Sequence, residues 1–314
     1  MRRVRALLAL LAVAGLAPAA AGCGLGQGDE RAGAGASLRV TRDFGHEELG
    51  STSVDRVREG QTVMRLLRSE FDVTTRFGGR FVQSIEGVEG QGDGGQVDWF
   101  FWVNGIDADR GAAEWELAPG DRVLWDRRDW SAAMRVPAIV GAFPEPFLSG
   151  IEGKRRPVRI ECEDQDAAPC KEARRRLREE GVPTSASSLG APGSGMTTRL
   201  VVAPWPEARG VRGAAGLEDG PEATGVFARF SADGETLELL DERGEPARTA
   251  RRGDGVGLVL ALQPRAEELV WIVTALDAEG LAAGVRALDE AKLRDAFAVA
   301  ATGDRVEKLP LVSR

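Results

Sequence analysis

Residues 98–105 read Asp-Trp-Phe-Phe-Trp-Val-Asn-Gly, "DWFFWVNG". A strand exposed on one face alternates apolar and polar residues, because successive side chains point to opposite faces. Here Trp99, Phe101 and Val103 share one face while Phe100 and Trp102 share the other, so both faces are apolar. One set is expected to cover a helix of its own domain. The other must meet a second domain, a ligand or a partner. Five of the seven tryptophans (Trp99, Trp102, Trp115, Trp125 and Trp130) fall in this neighbourhood. Aromatic side chains bury large areas and dominate both cores and interfaces. Core and domain-interface packing is the ordinary use of such a cluster; ligand or partner binding is its competitor.

Upstream, "STSVDRVREGQTVMRLLRSEF" (51–71) reads as a strand followed by a helix, with Val63, Leu66, Leu67 and Phe71 at helical spacing and Gln61-Thr62 near the helix start. Downstream, Pro119-Gly120-Asp121 makes a tight turn into the strand "RVLWD". Two strands, a helix and several more strands give an α+β arrangement, one helix lying across a mixed sheet.

Residues 38 to about 130 resemble the domain at the C-terminal end of transcobalamin and intrinsic factor, which also recurs in bacterial cell-surface proteins. Three elements carry the resemblance in order: "VREGQTVMRLLRS", then "DWFFWVNGIDADRGAAEWELAPGD" (98–121), then the closing strand "RVLWDRR" (122–128). The resemblance implies a β-grasp-like shape and, in the cobalamin carriers, a module that caps a corrin ligand together with a helical barrel. This sequence departs from the carriers: a different α/β domain is expected to follow the module in place of that barrel. The stretch 270–300, "VWIVTALDAEGLAAGVRALDEAKLRDAFAVA", is similar to the last domain of lipoproteins that carry this module.

Residues 131–314 are read as a small α/β domain with a partly parallel sheet. "PVRIEC" is a strand and "PCKEARRRLREEG" a charged helix. Residues 184–196 form a Ser/Gly/Pro-rich loop, and "TRLVVAPW" is a strand. "TGVFARFSADGETLELLD" is a hairpin turning at Asp233-Gly234, and "GVGLVLALQ" and "ELVWIVTAL" are buried strands. The stretch "AEGLAAGVRALDEAKLRDAFAVA" is read as helical, with Leu281, Val285 and Leu288 on one stripe.

The first residues carry a positive "MRRVRA", an apolar "LLALLAVAGLA" and small residues running into Cys23, the layout of a secretory signal. "AAGC" (20–23) resembles a bacterial lipobox whose cysteine is lipidated, with Ala20 where Leu is usual. A plain cleaved signal and an uncleaved anchor are the alternatives. Residues 1–22 are therefore a lipoprotein-type signal peptide, and 23–37 a Gly/Ala-rich tether. Such a protein sits on the extracytoplasmic side of the cell membrane, held by its lipid. Outside the cytoplasm the remaining pair, Cys162 and Cys170, is expected to form a disulfide across "CEDQDAAPC". A divalent-metal loop is the competing reading, but the DxDxDG spacing of a calcium loop is missing.

The composition points away from several functions. A formal charge of −8 is not that of a nucleic-acid binder. "GAPGSGMT" (190–197) has P-loop glycine spacing, but Met196 stands where the phosphate-binding Lys belongs and a strand follows. His46 is the only histidine, which leaves no Ser/His, Cys/His or zinc constellation. No metal, cofactor or enzymatic activity is expected. The leading reading is a non-enzymatic lipoprotein binding a small molecule, cobalamin-like by the resemblance, for uptake. Trp99, Trp102, Asn104 and Trp115 are the candidate ligand-lining residues. The alternative is a scaffold lipoprotein whose aromatic face docks a transporter subunit or a wall component.

Overall fold

The computed structural model describes residues 35–92, 94–191 and 196–312. The signal segment, Cys23 and most of the tether lie outside the described residues. So do four residues of "GAPGSGMT".

The first unit begins with a hairpin of β1 (Ala36–Arg42) and β2 (Glu47–Val54), followed by α1 (Val63–Glu70). Ala36 and Ser37, assigned from sequence to the tether, already pair within β1. The Thr62 hydroxyl caps α1, accepting from the Arg65 amide at 3.2 Å and satisfying an end donor the helix itself cannot pair. Strands β3 (Val73–Arg76), β4 (Phe81–Ile85) and β5 (Val88–Glu89) form a small antiparallel sheet. Strands β6 (Val97–Val103), β7 (Ile106–Asp107) and β8 (Arg122–Asp129) complete the main sheet, ordered β2-β1-β8-β6-β7. The first and last strands, β1 and β8, lie parallel at its centre, with Leu38 opposite Val123 and Val40 opposite Trp125.

In the second unit, β9 (Val158–Cys162), α2 (Ala168–Glu179), β10 (Thr184–Ser188) and β11 (Thr198–Val202) come first. Helices α3 (Trp205–Ala208) and α4 (Pro221–Thr224) precede a three-stranded sheet of β12 (Ala228–Phe230), β13 (Thr236–Leu240) and β14 (Pro246–Arg251). The long pair β15 (Val256–Arg265) and β16 (Glu268–Ala275) is followed by α5 (Ala278–Arg286), α6 (Glu290–Leu293), β17 (Ala298–Thr302) and β18 (Arg305–Leu309). The principal sheet has seven strands in the order β10-β9-β11-β16-β15-β17-β18. Its first four strands are parallel and the remainder antiparallel. The whole is a mixed α+β protein with a partly parallel sheet.

Period-two alternation sorts β15 and β16 between two cores. Leu258, Leu260, Val270 and Ile272 pack with the β12–β14 layer. Val259, Ala261, Trp271 and Val273 pack with α2 and α5. Both faces are covered, as near-continuous apolar strands require. A disulfide joins Cys162, at the end of β9, to Cys170 in the first turn of α2. Closing so short a loop contributes about 2–3 kcal/mol by restricting the unfolded chain.

Two stretches depart from the sequence reading. Thr184–Ser188, expected as loop, is the edge strand β10, because the α2 crossover returns the chain parallel to β9. Residues 298–300, expected to end a helix, begin β17, which is recruited by pairing with β15 and β18. In both, long-range pairing overrides a weak local preference.

The quoted segment is β6 and its turn. Trp99 and Val103 join α1, Leu38 and Val40 in the first unit's core, and Phe101 stacks on Trp125 at 4.8 Å between ring centres. On the opposite face Trp102 is fully buried in a core made largely by the second unit. It meets Phe297 edge-on at 5.0 Å, and its indole N–H donates to the Val136 carbonyl at 2.8 Å. Phe44, from the β1–β2 turn, enters the same core against Phe227 and Phe297. The second apolar face is covered by the chain itself.

Candidate functional site

The four residues singled out by the sequence occupy packed positions. Trp99 is buried beside α1 and donates its indole N–H to the Val88 carbonyl at 3.1 Å. Trp102 sits in the seam between units. Trp115 lies in the first unit's core with the Arg110 guanidinium 4.7 Å above its ring. Asn104 and Gly105 both have positive φ, the pair that a two-residue hairpin turn demands. The Asn104 amide donates to Asp121 Oδ1 at 2.9 Å and to the Gly150 carbonyl at 2.8 Å, and its Oδ1 accepts from the Arg122 amide at 2.8 Å. Each of the four therefore contacts protein, and none lines the cleft described next.

That cleft comes from the outer face of β1, β2 and β8. Because Leu38 and Val40 point to α1, Ser37 and Arg39 point away from it, with Ser53 opposite Ser37 and Ser51 opposite Arg39. Beside them, Trp102 and Leu124 hold the β6–β8 half of the sheet against the second unit. On the β1–β2 half the side chains are polar, short serines beside Arg39, and no apolar packing closes the gap between the units. The result is a cleft of about 460 Å³, walled on the far side by Gly141, Ala142, Glu290, Arg294 and Asp295.

Ion pairs close its ends. Arg39 grips Asp295 with both ends of its fork, Nε to Oδ1 at 2.6 Å and Nη2 to Oδ2 at 2.7 Å, and also reaches Glu48 Oε2 at 2.7 Å. Bidentate pairs of this kind combine strength with fixed geometry. Burial alone would lower the Arg39 pKa; hydrogen bonds and charge from Asp295 and Glu48 hold it above the usual arginine value. Arg122 Nη1 pairs with Glu290 Oε1 at 2.8 Å and donates to the Phe143 carbonyl at 3.1 Å. Asp295 itself adopts φ +60°, uncommon for a non-glycine residue. Its backbone is wedged between two glycines: a Cβ on Gly45 would come within 1.9 Å of the Asp295 carbonyl oxygen, and one on Gly141 within 2.8 Å of its Cα.

A second polar cluster braces the same seam. Asp126 is fully buried and accepts from the Thr41 hydroxyl at 2.7 Å and from the amides of Phe44 and Gly45 at 3.0 and 2.8 Å. Burial nonetheless pushes its pKa up to about 6. Arg128, also buried, donates to the Ala133 and Met134 carbonyls and lies 4.1 Å over the Phe100 ring. Burial lowers its pKa to about 10. Lys308 donates to the Gly45 carbonyl, and His46 Nε2 to the Pro310 carbonyl at 2.8 Å. His46 is thus a seam contact.

Among the described residues no group of three or more His, Cys, Asp and Glu is placed to hold a metal ion. No helix among them is long and apolar enough to cross a membrane.

The sequence reading missed the cleft residues. Their one local signal is the short polar run "GSTS" (50–53) in a strand, and its far wall comes from two distant segments, residues 141–142 and 290–295.

Residues 60–128 match the profile of a domain of unknown function, DUF4430. No curated protein gives a significant match. Among solved structures, a putative metal binding protein from Ruminococcus gnavus is similar over 31% of this chain and 97% of its own, at 16% identity and a TM-score of 0.26. Haptocorrin in complex with Cbi is similar over 30% of this chain at 17% identity and a TM-score of 0.24, and only 25% of its length is spanned.

Proposed function

We propose that this chain is a membrane-anchored, extracytoplasmic binding protein, without chemistry of its own, that captures a small molecule between its two units for uptake. The observation that carries this reading is the cleft, whose size suits a small-molecule site and whose place between units is where such sites occur. The order β2-β1-β8-β6, with parallel central strands and α1 across one face, supports a β-grasp layout for residues 38–130. The experiment is native mass spectrometry of the protein isolated from its own cell envelope. A bound small molecule is expected in the native protein and absent from Ser53→Trp, which fills the cleft from an exposed strand. An equal load on both proteins would remove the cleft as the site.

The anchor rests on the signal pattern ending at Cys23. Cys23→Ala is expected to move the protein from the membrane fraction to the soluble fraction. Retention in the membrane would rule the lipid out.

One observation favours the scaffold reading. At the tip of the small sheet, "RFGGRF" (76–81) leaves Phe77 73% and Phe81 47% exposed, flanked by Arg76 and Arg80. Exposed aromatics with arginine are the residues enriched at protein interfaces. If this tip docks a transporter or wall protein, a partner cross-linked in cells is lost on Phe81→Ser while small-molecule loading is kept. The same partner yield from both proteins would dismiss the tip.

A further inference from the structure

We infer that the cleft selects an anionic, hydroxyl-rich small molecule, a sugar acid being the simplest example. This rests on the cleft being the binding site and adds the chemical class of its ligand.

The first observation is charge. Of the residues lining the cleft, Arg39, Arg122 and Arg294 are cationic and Glu290 and Asp295 anionic; with Glu48, gripped by Arg39 at its edge, the balance is neutral in a chain whose formal charge is −8. Two of the arginines are committed, Arg39 to Asp295 and Glu48, and Arg122 to Glu290. Arg294 is exposed; its charge helps hold the Glu48 carboxyl below its usual range, but no direct ion pair among the described residues occupies its guanidinium, which leaves those donors to a ligand carboxylate. Arginine's planar fork matches a carboxylate with two parallel hydrogen bonds.

The second observation is the hydroxyl lining. Ser37 and Ser53 present hydroxyl groups that both donate and accept, and Ser51, which donates to Glu48, keeps its acceptor capacity. A polyol needs that dual capacity, because each of its own hydroxyls does the same. Glu290 and Asp295 add acceptors on the opposite wall.

The third observation concerns aromatic surface. Phe143 is the one ring among the lining residues, and it is buried against Phe147 and Trp271. A flat conjugated ligand would find no face to stack on, and a corrinoid, larger than the cleft, would enter only by an edge.

Calorimetric titration of the detergent-solubilised full chain tests this, with glucuronate, gluconate, glucose and cobinamide as probes. Glucuronate or gluconate is expected to bind with one-to-one stoichiometry, at least about tenfold tighter than glucose, as a charged hydrogen bond implies. Affinity should fall as salt screens the arginine. Arg294→Gln should erase the preference for acid over glucose. Equal binding of acid and neutral sugar overturns the inference, as does no binding of either acid at millimolar concentration. Cobinamide binding that Ser53→Trp abolishes, with neither acid bound, overturns this inference while leaving the cleft as the site. Acid binding that Ser53→Trp leaves untouched removes the site and the inference together.

Discussion

Trp102→Ala is expected to destabilise the whole protein by about 3–5 kcal/mol, the range for truncating a fully buried large aromatic. The indole lies on the outer face of β6 yet is enclosed by the second unit, edge-on to Phe297. Removing it leaves a cavity in the core shared by both units and strips the Val136 carbonyl of its donor. Because that core spans the seam, the wild type is expected to unfold in urea as one transition. The variant should show a lower midpoint and an earlier step for one unit. A change within about 0.5 kcal/mol, the level of an ordinary surface substitution, would mean that the seam contributes little to stability.

The second large effect is a pH dependence at Asp126. Its folded pKa is raised from 3.8 to about 6, so the folded protein holds this proton more tightly than the unfolded chain does. The contribution is fully present below pH about 4 and is lost as pH rises through about 6. Two units correspond to about 2–3 kcal/mol. The stability of the wild type relative to Asp126→Asn should therefore decline by that amount between pH 4 and 7, read from urea midpoints across the range. The amides of Phe44 and Gly45 and the Thr41 hydroxyl oppose the shift by solvating the carboxylate. A flat difference would show that these three donors offset the burial.

Much of the first unit was legible in the sequence. The spacing of Val63, Leu66 and Leu67 after Thr62 specifies α1 and its cap. The Asn104-Gly105 pair specifies the hairpin turn after β6, and Pro119-Gly120-Asp121 the approach to β8. Leu281, Val285 and Leu288 all enter the core with α5 and the residues after it. The pairing of Cys162 with Cys170 followed from an expected export and from an even count of the cysteines left beside Cys23. In each case the signal is local and its physics acts within a few residues. The edge strand β10 and the strand β17 were not legible, since their partners are set by a crossover helix and by neighbouring strands.

The site followed the same division. Aromatic content marked β6 as a strand with two apolar faces, and alternation assigned Trp99 and Trp102 to opposite sides. Which surface would cover Trp102 depended on residues 136 and 297, which no local pattern connects to residue 102. The cleft is further from sequence still. Serines along an outer strand are ordinary solvent-facing residues until Arg294 and Asp295 arrive opposite them. Alone, the chain's order of residues determined which faces of each element are apolar, because side-chain direction is fixed by backbone geometry. Tertiary structure decided what meets those faces and where a gap remains, because a hollow exists only between surfaces that distant segments bring together.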